Sequence, residues 1–286
     1  MDSQVSIILP ARNEADSLPE LLQKLNSLFP RAEILLVDDG STDETANIAA
    51  ANNVRIIKHP YPMGNGAAVK TGARAANGDV LVFMDADGQH RPEDAHALLE
   101  KLATGYDMVV GARTNKDHAG VSRGVANTIF NKLASWMVNH PVEDLTSGFR
   151  AVRAERFRNF LYLLPNSFSY PTTCTISFFR AGYSVAYIPV SMPSRIGKSH
   201  IRPIRDGIRF ILIILKIGSL YSPLKLFLPI AFTFFTTGLG YYIYTYIVSN
   251  RFTNMSALLF ITSTLIFLIG LVSEQITMLT YKDSDQ

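Results

Sequence analysis

One cysteine, Cys174, stands alone in 286 residues. An internal disulfide is therefore excluded, and a reducing compartment fits. Tryptophan also occurs once, at Trp136. Neither sign of charge dominates: the formal net charge is +3. No basic run interleaved with aromatics appears in the first half, which argues against a general nucleic-acid binder. The start of the sequence has no basic stretch leading into an apolar core, so no cleaved signal peptide is expected. Neither G-x-x-x-x-G-K-[ST] nor G-x-G-x-x-G occurs, and the Walker and dinucleotide fingerprints are both missing. Charge itself becomes scarce between Arg209 and Glu274, although it is dense before them. The positive mean hydropathy of +0.14 thus belongs mostly to the last third of the chain.

From Val5 to Ala112, short runs rich in Val and Ile alternate with helical periods. "VSIILP", "EILLVDD", "VRIIKH", "VLVFMDAD" and "DMVVGAR" read as strands. Helices are expected over residues 16–28, 43–52, 66–77 and 92–103, with Asp43 and Pro92 suited to helix starts. Apolar strands that alternate with helices imply an α/β fold with a mainly parallel sheet covered on both faces. Ligands of such sheets bind beyond the carboxyl ends of the strands. Asn13, Glu14, Asp38, Asp39, Asp85, Asp87 and Arg113 all fall at such ends. Residues 120–200 are less regular, with a helix expected over 122–138, a turn at "TSG" and a late strand "VAYIPV".

Beyond Leu224 the character changes. About 23 uncharged residues follow Lys225 and about 19 follow Asn254, and at 1.5 Å per residue each run reaches about 30 Å, enough to cross a bilayer. The connector "SNRFTN" makes them a hairpin. The stretch before them, residues 201–223, is basic and apolar at helical spacing, as suits an interfacial helix. Arg202, Arg205, Arg209, Lys216 and Lys225 precede the first span, whereas Arg251 alone lies in the connector. The positive-inside rule then puts the globular part and both termini in the cytoplasm. Three parts are expected: a globular domain over 1–200, juxtamembrane helices over 201–223, and a hairpin over 224–286 with spans at about 226–248 and 255–276. Glu274 reads as an interfacial residue near the end of the second span.

Two carboxylates one residue apart at a strand end, Asp85 and Asp87, can hold a hard cation such as Mg2+ or Mn2+, with phosphates of a substrate completing its shell. Gln89 offers a further oxygen from the same turn. The same acids could instead cap the helix near Pro92 or mark a solvated turn. Acids in "VDDGSTDET" can accept hydrogen bonds from a nucleoside or cap the next helix; Asp43 is assigned only the cap. "MGNGAAVKTG" resembles a glycine-rich phosphate loop, and its Lys70 either reaches a nucleotide or lies on the surface.

"PARNE", "VDDGSTDET", "NGAAVKTGARAANGDVLVFMDADGQH", "GAR" and "DLTSGFRAVR", in this order, resemble the inverting glycosyltransferases of family 2, with the nucleotide-diphospho-sugar transferase (GT-A, Rossmann-like) fold. The glutamine of "DADGQH", the "TSGF" turn, "SRIGKSH" and the apolar hairpin narrow the resemblance to polyprenyl-phosphate glycosyltransferases. These include dolichol-phosphate mannose synthases and undecaprenyl-phosphate glucosyltransferases. The motifs cover residues 4–200; the hairpin matches by architecture. The resemblance implies a nucleotide-sugar donor, of UDP-glucose or GDP-mannose type, and a polyprenyl phosphate acceptor, with self-association into a homo-oligomer left open. It places Pro10, Ala11, Arg12, Glu14, Asp38, Asp39, Gly66 and Lys70 around the nucleotide. Asp85 and Ala86 would line the ribose and diphosphate, and Asp87 and Gln89, with Asp85 beside them, would hold Mg2+ or Mn2+. Arg12 departs from the tyrosine of many relatives, and His200 from a common lysine.

A lipid phosphate is already largely ionised near neutral pH, so its transfer needs cations at the acceptor more than a strong base. Two unit negative charges about 4 Å apart at an effective dielectric near 20 repel by about 4 kcal/mol. Arg113, Arg123 and Arg195 are the candidates, because guanidinium pairs with phosphate oxygens in a bidentate manner. Asn127, Ser147 and Ser199 can add neutral hydrogen bonds. Arg150 and Arg153 read as solvated surface charges. Two other readings stand beside this one. A family 2 transferase acting on a sugar acceptor would call for a distant catalytic acid and a Q-x-x-R-W motif, neither of which is found around Trp136. A membrane scaffold that binds nucleotide without turnover would be free to lose the acids and arginines.

Overall fold

Short apolar strands with bulky residues on both faces must be covered twice, and the chain does so. The structure, a computed structural model, describes residues 4–52, 54–113, 121–167, 169–191, 218–219 and 221–282. Two compact units result, Met1–Lys198 and Ser199–Gln286.

In the first unit the described strands are β1 (Val5–Ala11), β2 (Glu33–Asp38), β3 (Arg55–Lys58), β4 (Val80–Phe83), β5 (Met108–Arg113), β6 (Arg150–Arg153) and β7 (Val185–Val190). Between them run α1 (Leu18–Leu28), α2 (Thr45–Ala51), α3 (Asn65–Ala75), α4 (Asp94–Ala103), α5 (Val121–Val138), α6 (Ala154–Arg158) and α7 (Tyr170–Arg180). The strands form one sheet in the order β3-β2-β1-β4-β6-β5-β7. Side chains of alternate parity meet different helices. Ile7, Leu9, Val80 and Val82 share a core with Leu18, Leu21, Leu22 and Leu25 of α1 and with Ala95, Leu98 and Leu102 of α4. Ile8 faces the other way, and Gly72 of α3 leaves it room: a Cβ there would run into the Ile8 side chain. Phe83 packs on Phe157 of α6 with ring centres 4.7 Å apart. Burial on both faces explains why the strands read as continuous apolar runs.

One strand runs against the rest. β6 pairs antiparallel with both β4 and β5, in a register that sets Arg150 opposite Phe83 and Val110. The segment leading into β6, residues 144–149, therefore arrives at the edge where the parallel strands end. Arg150 corrects an expectation from the sequence: it is no solvated charge but a wholly buried side chain. Arg153, at the far end of the same strand, stays half-exposed and lies 3.9 Å from Asp107.

In the second unit, α8 (Pro223–Ser249) and α9 (Asn254–Lys282) are each long and apolar enough to cross a membrane. Both extend past the expected spans, because polar residues at the ends continue the helical hydrogen bonding. They approach closely: a Cβ at Gly270 would meet Phe227, and Ser263 Oγ donates to Ala231 O at 2.8 Å. Glu274 accepts a bond from Leu224 N at 3.2 Å, which satisfies one of the donors orphaned at the start of α8. Most large side chains of the pair, Phe232, Ile247, Leu258 and Ile276 among them, are exposed, unlike those of a soluble core helix. The interfacial helix expected over residues 201–223 lies outside the described residues except at its last few positions.

Candidate active site

The carboxyl ends of β1, β2, β4 and β5 deliver the acids and Arg113 to one edge of the sheet, and the start of β6 joins them there. β4 ends at Phe83, and the chain turns through "DADGQH" with Gly88 at φ +72°, a left-handed geometry that favours glycine. Asp85 is about a third exposed and sits in a polar recess. Its Oδ1 accepts from Asn65 Nδ2 at 3.3 Å, and its Oδ2 lies 3.7 Å from His90 Nε2. His90 is buried and stacks on Phe149 with ring centres 4.8 Å apart. Gly148 closes the recess from the other side: a Cβ there would stand 3.3 Å from both Asp85 Oδ2 and the Tyr170 hydroxyl. Burial pushes the Asp85 carboxyl up, but His90, Asn65 and the charge of Arg150 outweigh it and hold it below the usual carboxylate range. Burial, with the Asp85 charge beside it, drives the Tyr170 hydroxyl far the other way, so it stays protonated.

Asp87 is half-buried, and its Oδ1 accepts from Gln89 N at 3.1 Å. No side-chain bond caps α4, so the alternative role of Asp85 and Asp87 as helix caps is not taken up. Among the described residues, no three His, Cys, Asp or Glu side chains gather closely enough to enclose a metal. The turn offers two carboxylates and the Gln89 amide oxygen, with the buried His90 ring 3.7 Å from Asp85. That donor set fits Mg2+ or Mn2+ held partly by a ligand's own phosphates, and does not fit an all-protein cage.

Arg113 ends β5 and is tied to Asp144. Its Nε donates to Oδ2 at 2.7 Å and its Nη2 to Oδ1 at 2.9 Å, with a further bond to Thr146 Oγ1. Asp144 Oδ1 also accepts from the backbone N of Thr146 and of Ser147, each at 3.1 Å, so one carboxylate builds the turn that carries Gly148. Burial raises the Asp144 carboxyl, yet the Arg113 hydrogen bond and charge dominate and leave it below the usual range. Ser147 is buried, and among the described residues its Oγ has no partner.

On the β2 side, Asp39 is buried and fully used. It accepts from His59 Nδ1 at 2.7 Å, Met63 N at 2.7 Å and Gly64 N at 2.8 Å, while Thr71 Oγ1 lies 2.9 Å from His59 Nε2. Its work is to pin the loop before α3. Asp38, also buried, accepts from Ser41 N at 2.9 Å. Asp43, expected only to cap α2, is not its N-cap, which is Glu44; it accepts from Thr45 N at 3.0 Å just before the helix and also from Ala15 N at 3.1 Å. Glu14 is half-buried beside Ser17, whose Oγ donates to Ala86 O at 2.6 Å and so joins the loop after β1 to the loop after β4. Pro10 and Ala11 are buried within β1 and Ala86 is buried beyond β4, whereas Arg12 is exposed.

The glycine-rich stretch that resembles a phosphate loop is covered by a neighbouring segment. The space beside Gly66 is filled by the backbone of Pro165, Asn166 and Ser167, and Lys70 Nζ donates to Leu164 O at 3.0 Å and to Asn166 Oδ1. Both residues fasten the 164–167 segment over the first turn of α3. Burial lowers the Lys70 ammonium from its ordinary value. Arg123 and Asn127 fall on α5 with side chains outside those described; Arg195 and Ser199 lie outside the described residues. Sequence reasoning passed over Asn65, Asp144, Tyr170 and His59. Only Asp144 carried a local signal, as the acid that opens "DLTSGF". A groove of about 860 Å3 at the opposite edge, lined by Val5, Leu28, Phe29, Leu99 and Leu102, contains none of the candidate residues.

Comparison with known proteins bears on the family and the fold. A family model described as glycosyl transferase family 2 matches residues 6–161, and one described as the GtrB C-terminal hairpin matches residues 222–279. An undecaprenyl-phosphate mannosyltransferase of Micrococcus luteus is 31% identical over 210 residues, which cover 67% of this chain and 84% of that protein. An undecaprenyl-phosphate 4-deoxy-4-formamido-L-arabinose transferase of Klebsiella pneumoniae is 35% identical over 153 residues. That match takes in 50% of this chain and 44% of the relative, so the chain spans less than half the length of this larger protein. Among solved structures, glucosyl-3-phosphoglycerate synthase of Mycobacterium tuberculosis, in complex with Mn2+, UDP and its product, aligns with a TM-score of 0.60. At 23% identity over 76% of this chain and 80% of that one, the likeness concerns the fold.

Proposed function

The chain belongs to glycosyltransferase family 2, and from that premise we propose that it transfers a hexose from a nucleotide-sugar to polyprenyl phosphate at the cytoplasmic face of a membrane. The observation that carries the reading is one shared edge. The Asp85–Asp87 turn lies at the end of β4, and the Asp144–Gly148 turn, tied to Arg113, closes on it from β6. Two named relatives that act on undecaprenyl phosphate, and the apolar hairpin of the second unit, support a lipid-borne acceptor. The excess of Arg and Lys before α8 over the single Arg251 in the connector supports the cytoplasmic orientation.

In this reading Glu14 and Asp38 accept hydrogen bonds from the nucleoside, and Asp39 holds the loop that shapes its pocket. Asp85 faces the ribose and diphosphate. Asp87 and Gln89, with Asp85 beside them, would hold Mg2+ or Mn2+, which supplies Lewis-acid stabilisation of the departing diphosphate when bound. Arg113, Arg123 and Arg195 receive the acceptor phosphate, and Asn127, Ser147 and Ser199 add neutral bonds to it. An ionised phosphate oxygen attacks the anomeric carbon as the bond from that carbon to the diphosphate oxygen breaks. The nucleoside diphosphate leaves on the opposite face, and the configuration inverts. The attacking oxygen carries no proton to remove, which accounts for the lack of an assigned general base.

The reading is tested with the full chain in vesicles that contain polyprenyl phosphate, incubated with Mn2+ and a panel of radiolabelled UDP- and GDP-sugars. Label that enters the lipid fraction from one of them, as an acid-labile phosphodiester, is the expected result. Nucleotide binding with no label in lipid would favour the scaffold instead, and label in a glycolipid with a neutral acceptor would favour a sugar-acceptor transferase.

A further inference from the structure

Arg150 is, among the described residues, the largest side chain that the fold hides completely, at 0% exposure, and it opens strand β6. Among the described residues no Asp or Glu oxygen lies within ion-pair reach of it. Its Nη1 donates to Pro171 O at 3.2 Å and Thr175 Oγ1 at 3.3 Å, and its Nη2 donates to Ser147 O. Its Nε has no hydrogen-bond partner among the described residues, and the guanidinium lies 6.0 Å from the centre of the Tyr170 ring. Stability gives a poor account of such a residue. A buried guanidinium with no carboxylate in direct contact, its charge reaching Asp85 only at longer range, is unfavourable, and an apolar side chain of similar volume is often as stable or more so.

Its place in the sheet gives a better one. Because β6 runs against β4 and β5, its first residue lies at the edge where those strands end. The residues just before it, Ser147 and Gly148, close the recess around Asp85. Asp38, Asp39, Asp85 and Asp87 crowd the same edge, and an incoming diphosphate adds more negative charge. A cation beneath that edge, shielded from water, acts through a low dielectric and is screened little by salt.

We infer that Arg150 is a positioning residue whose buried charge, more than its hydrogen bonds, favours an anionic nucleoside diphosphate at the carboxyl edge. The inference rests on the nucleotide-donor reading. It assigns to Arg150 a duty separate from that of the arginines that meet the acceptor phosphate.

Two substitutions separate charge from hydrogen bonding. Arg150→Gln keeps a donor for Ser147 O and removes the charge; Arg150→Lys keeps the charge and loses the planar fork. The measurement is calorimetric binding of UDP and GDP, each with Mn2+, to the full chain in detergent at low and high salt, beside a thermal melt. Arg150→Gln is expected to fold and to bind at least about tenfold more weakly, and Arg150→Lys to recover most of that loss, at both salt concentrations. Wild-type affinity in folded Arg150→Gln would overturn the inference. Equal losses in the two variants would do so too, since they would assign the residue to a hydrogen-bonding clamp. If Arg150→Gln and a second neutral variant, Arg150→Met, both fail to fold, the charge belongs to the fold and the inference is overturned as well. Absence of UDP and GDP binding in the wild type would instead strike the donor reading itself.

Discussion

Arg113 and Asp144 face each other in a two-pronged ion pair, Nε to Oδ2 at 2.7 Å and Nη2 to Oδ1 at 2.9 Å. The pair joins the end of β5 to the turn that precedes β6, and Asp144 spends further bonding capacity on the N–H groups of Thr146 and Ser147. An arginine held this way is pre-organised: Asp144 and Thr146 fix its Nε and Nη2 edge, and an arriving phosphate would meet the remaining N–H groups of an already oriented guanidinium.

Asp144→Ala is therefore expected to do two things. It leaves the partly buried Arg113 unpaired and frees the 144–149 turn, at about 3 kcal/mol or more of stability. For a domain of this size that corresponds to a fall of roughly 6–12 °C in melting temperature. In transfer assays the KM for lipid phosphate should rise more than the KM for the nucleotide-sugar. Asp144→Asn, which can still accept from the turn, should fall between the variant and the wild type in a melt.

Acid should weaken the first unit through the same carboxylates. Burial raises both Asp39 and Asp144, but His59 and two backbone N–H groups for the first, and Arg113 for the second, leave each below its ordinary value. A carboxylate depressed in the folded state contributes stability that is complete above its unfolded value, about 3.9, and is lost as pH falls through the folded one. Denaturation monitored from pH 6 to pH 2 should show the melting temperature dropping mainly below about pH 4. In Asp144→Asn that drop should be shallower. A wild-type curve flat down to pH 2 would contradict the assignment.

Gly66 offers a third check, because its role here is steric. A methyl group at that position would collide with the backbone carbonyls of Pro165 and Ser167, which cannot swing aside as the end of a flexible side chain could. Gly66→Ala should cost about 1–3 kcal/mol by overpacking. It should also expose the 164–167 segment to protease, as should Lys70→Met, which removes the other fastening. Were Gly66 a phosphate cradle, Gly66→Ala would weaken nucleotide binding without changing proteolysis.

These assignments show where the sequence was readable. Strands β1, β2, β4 and β5 declared themselves because burial on both faces demands unbroken Val, Ile and Leu, and the acids at their ends followed from strand direction alone. Strand β6 did not. It is four residues long, two of them arginine, and its antiparallel place is set by neighbours far away in the chain. Arg150 was misread as solvated for that reason. Helix α7 was invisible too: nine of its eleven residues are buried, so its Thr- and Ser-rich sequence has no polar face to reveal a helical period. Asp39, Lys70 and Gly66 lie in stretches that resemble ligand loops, yet their partners come from the 59–64 and 164–167 segments, contacts that no local pattern encodes.

The central claim is that the carboxyl edge around Asp87 carries a metal-assisted transfer onto a membrane-borne phosphate. Rates of label transfer from nucleotide-sugar to polyprenyl phosphate, measured for wild type and Asp87→Ala in the same vesicles with and without Mn2+, test it most directly. The account predicts Mn2+-dependent lipid labelling by the wild type and a loss of at least about a hundredfold in Asp87→Ala, with the melting temperature nearly unchanged. Full activity in Asp87→Ala, or wild-type transfer indifferent to divalent cations, would contradict it.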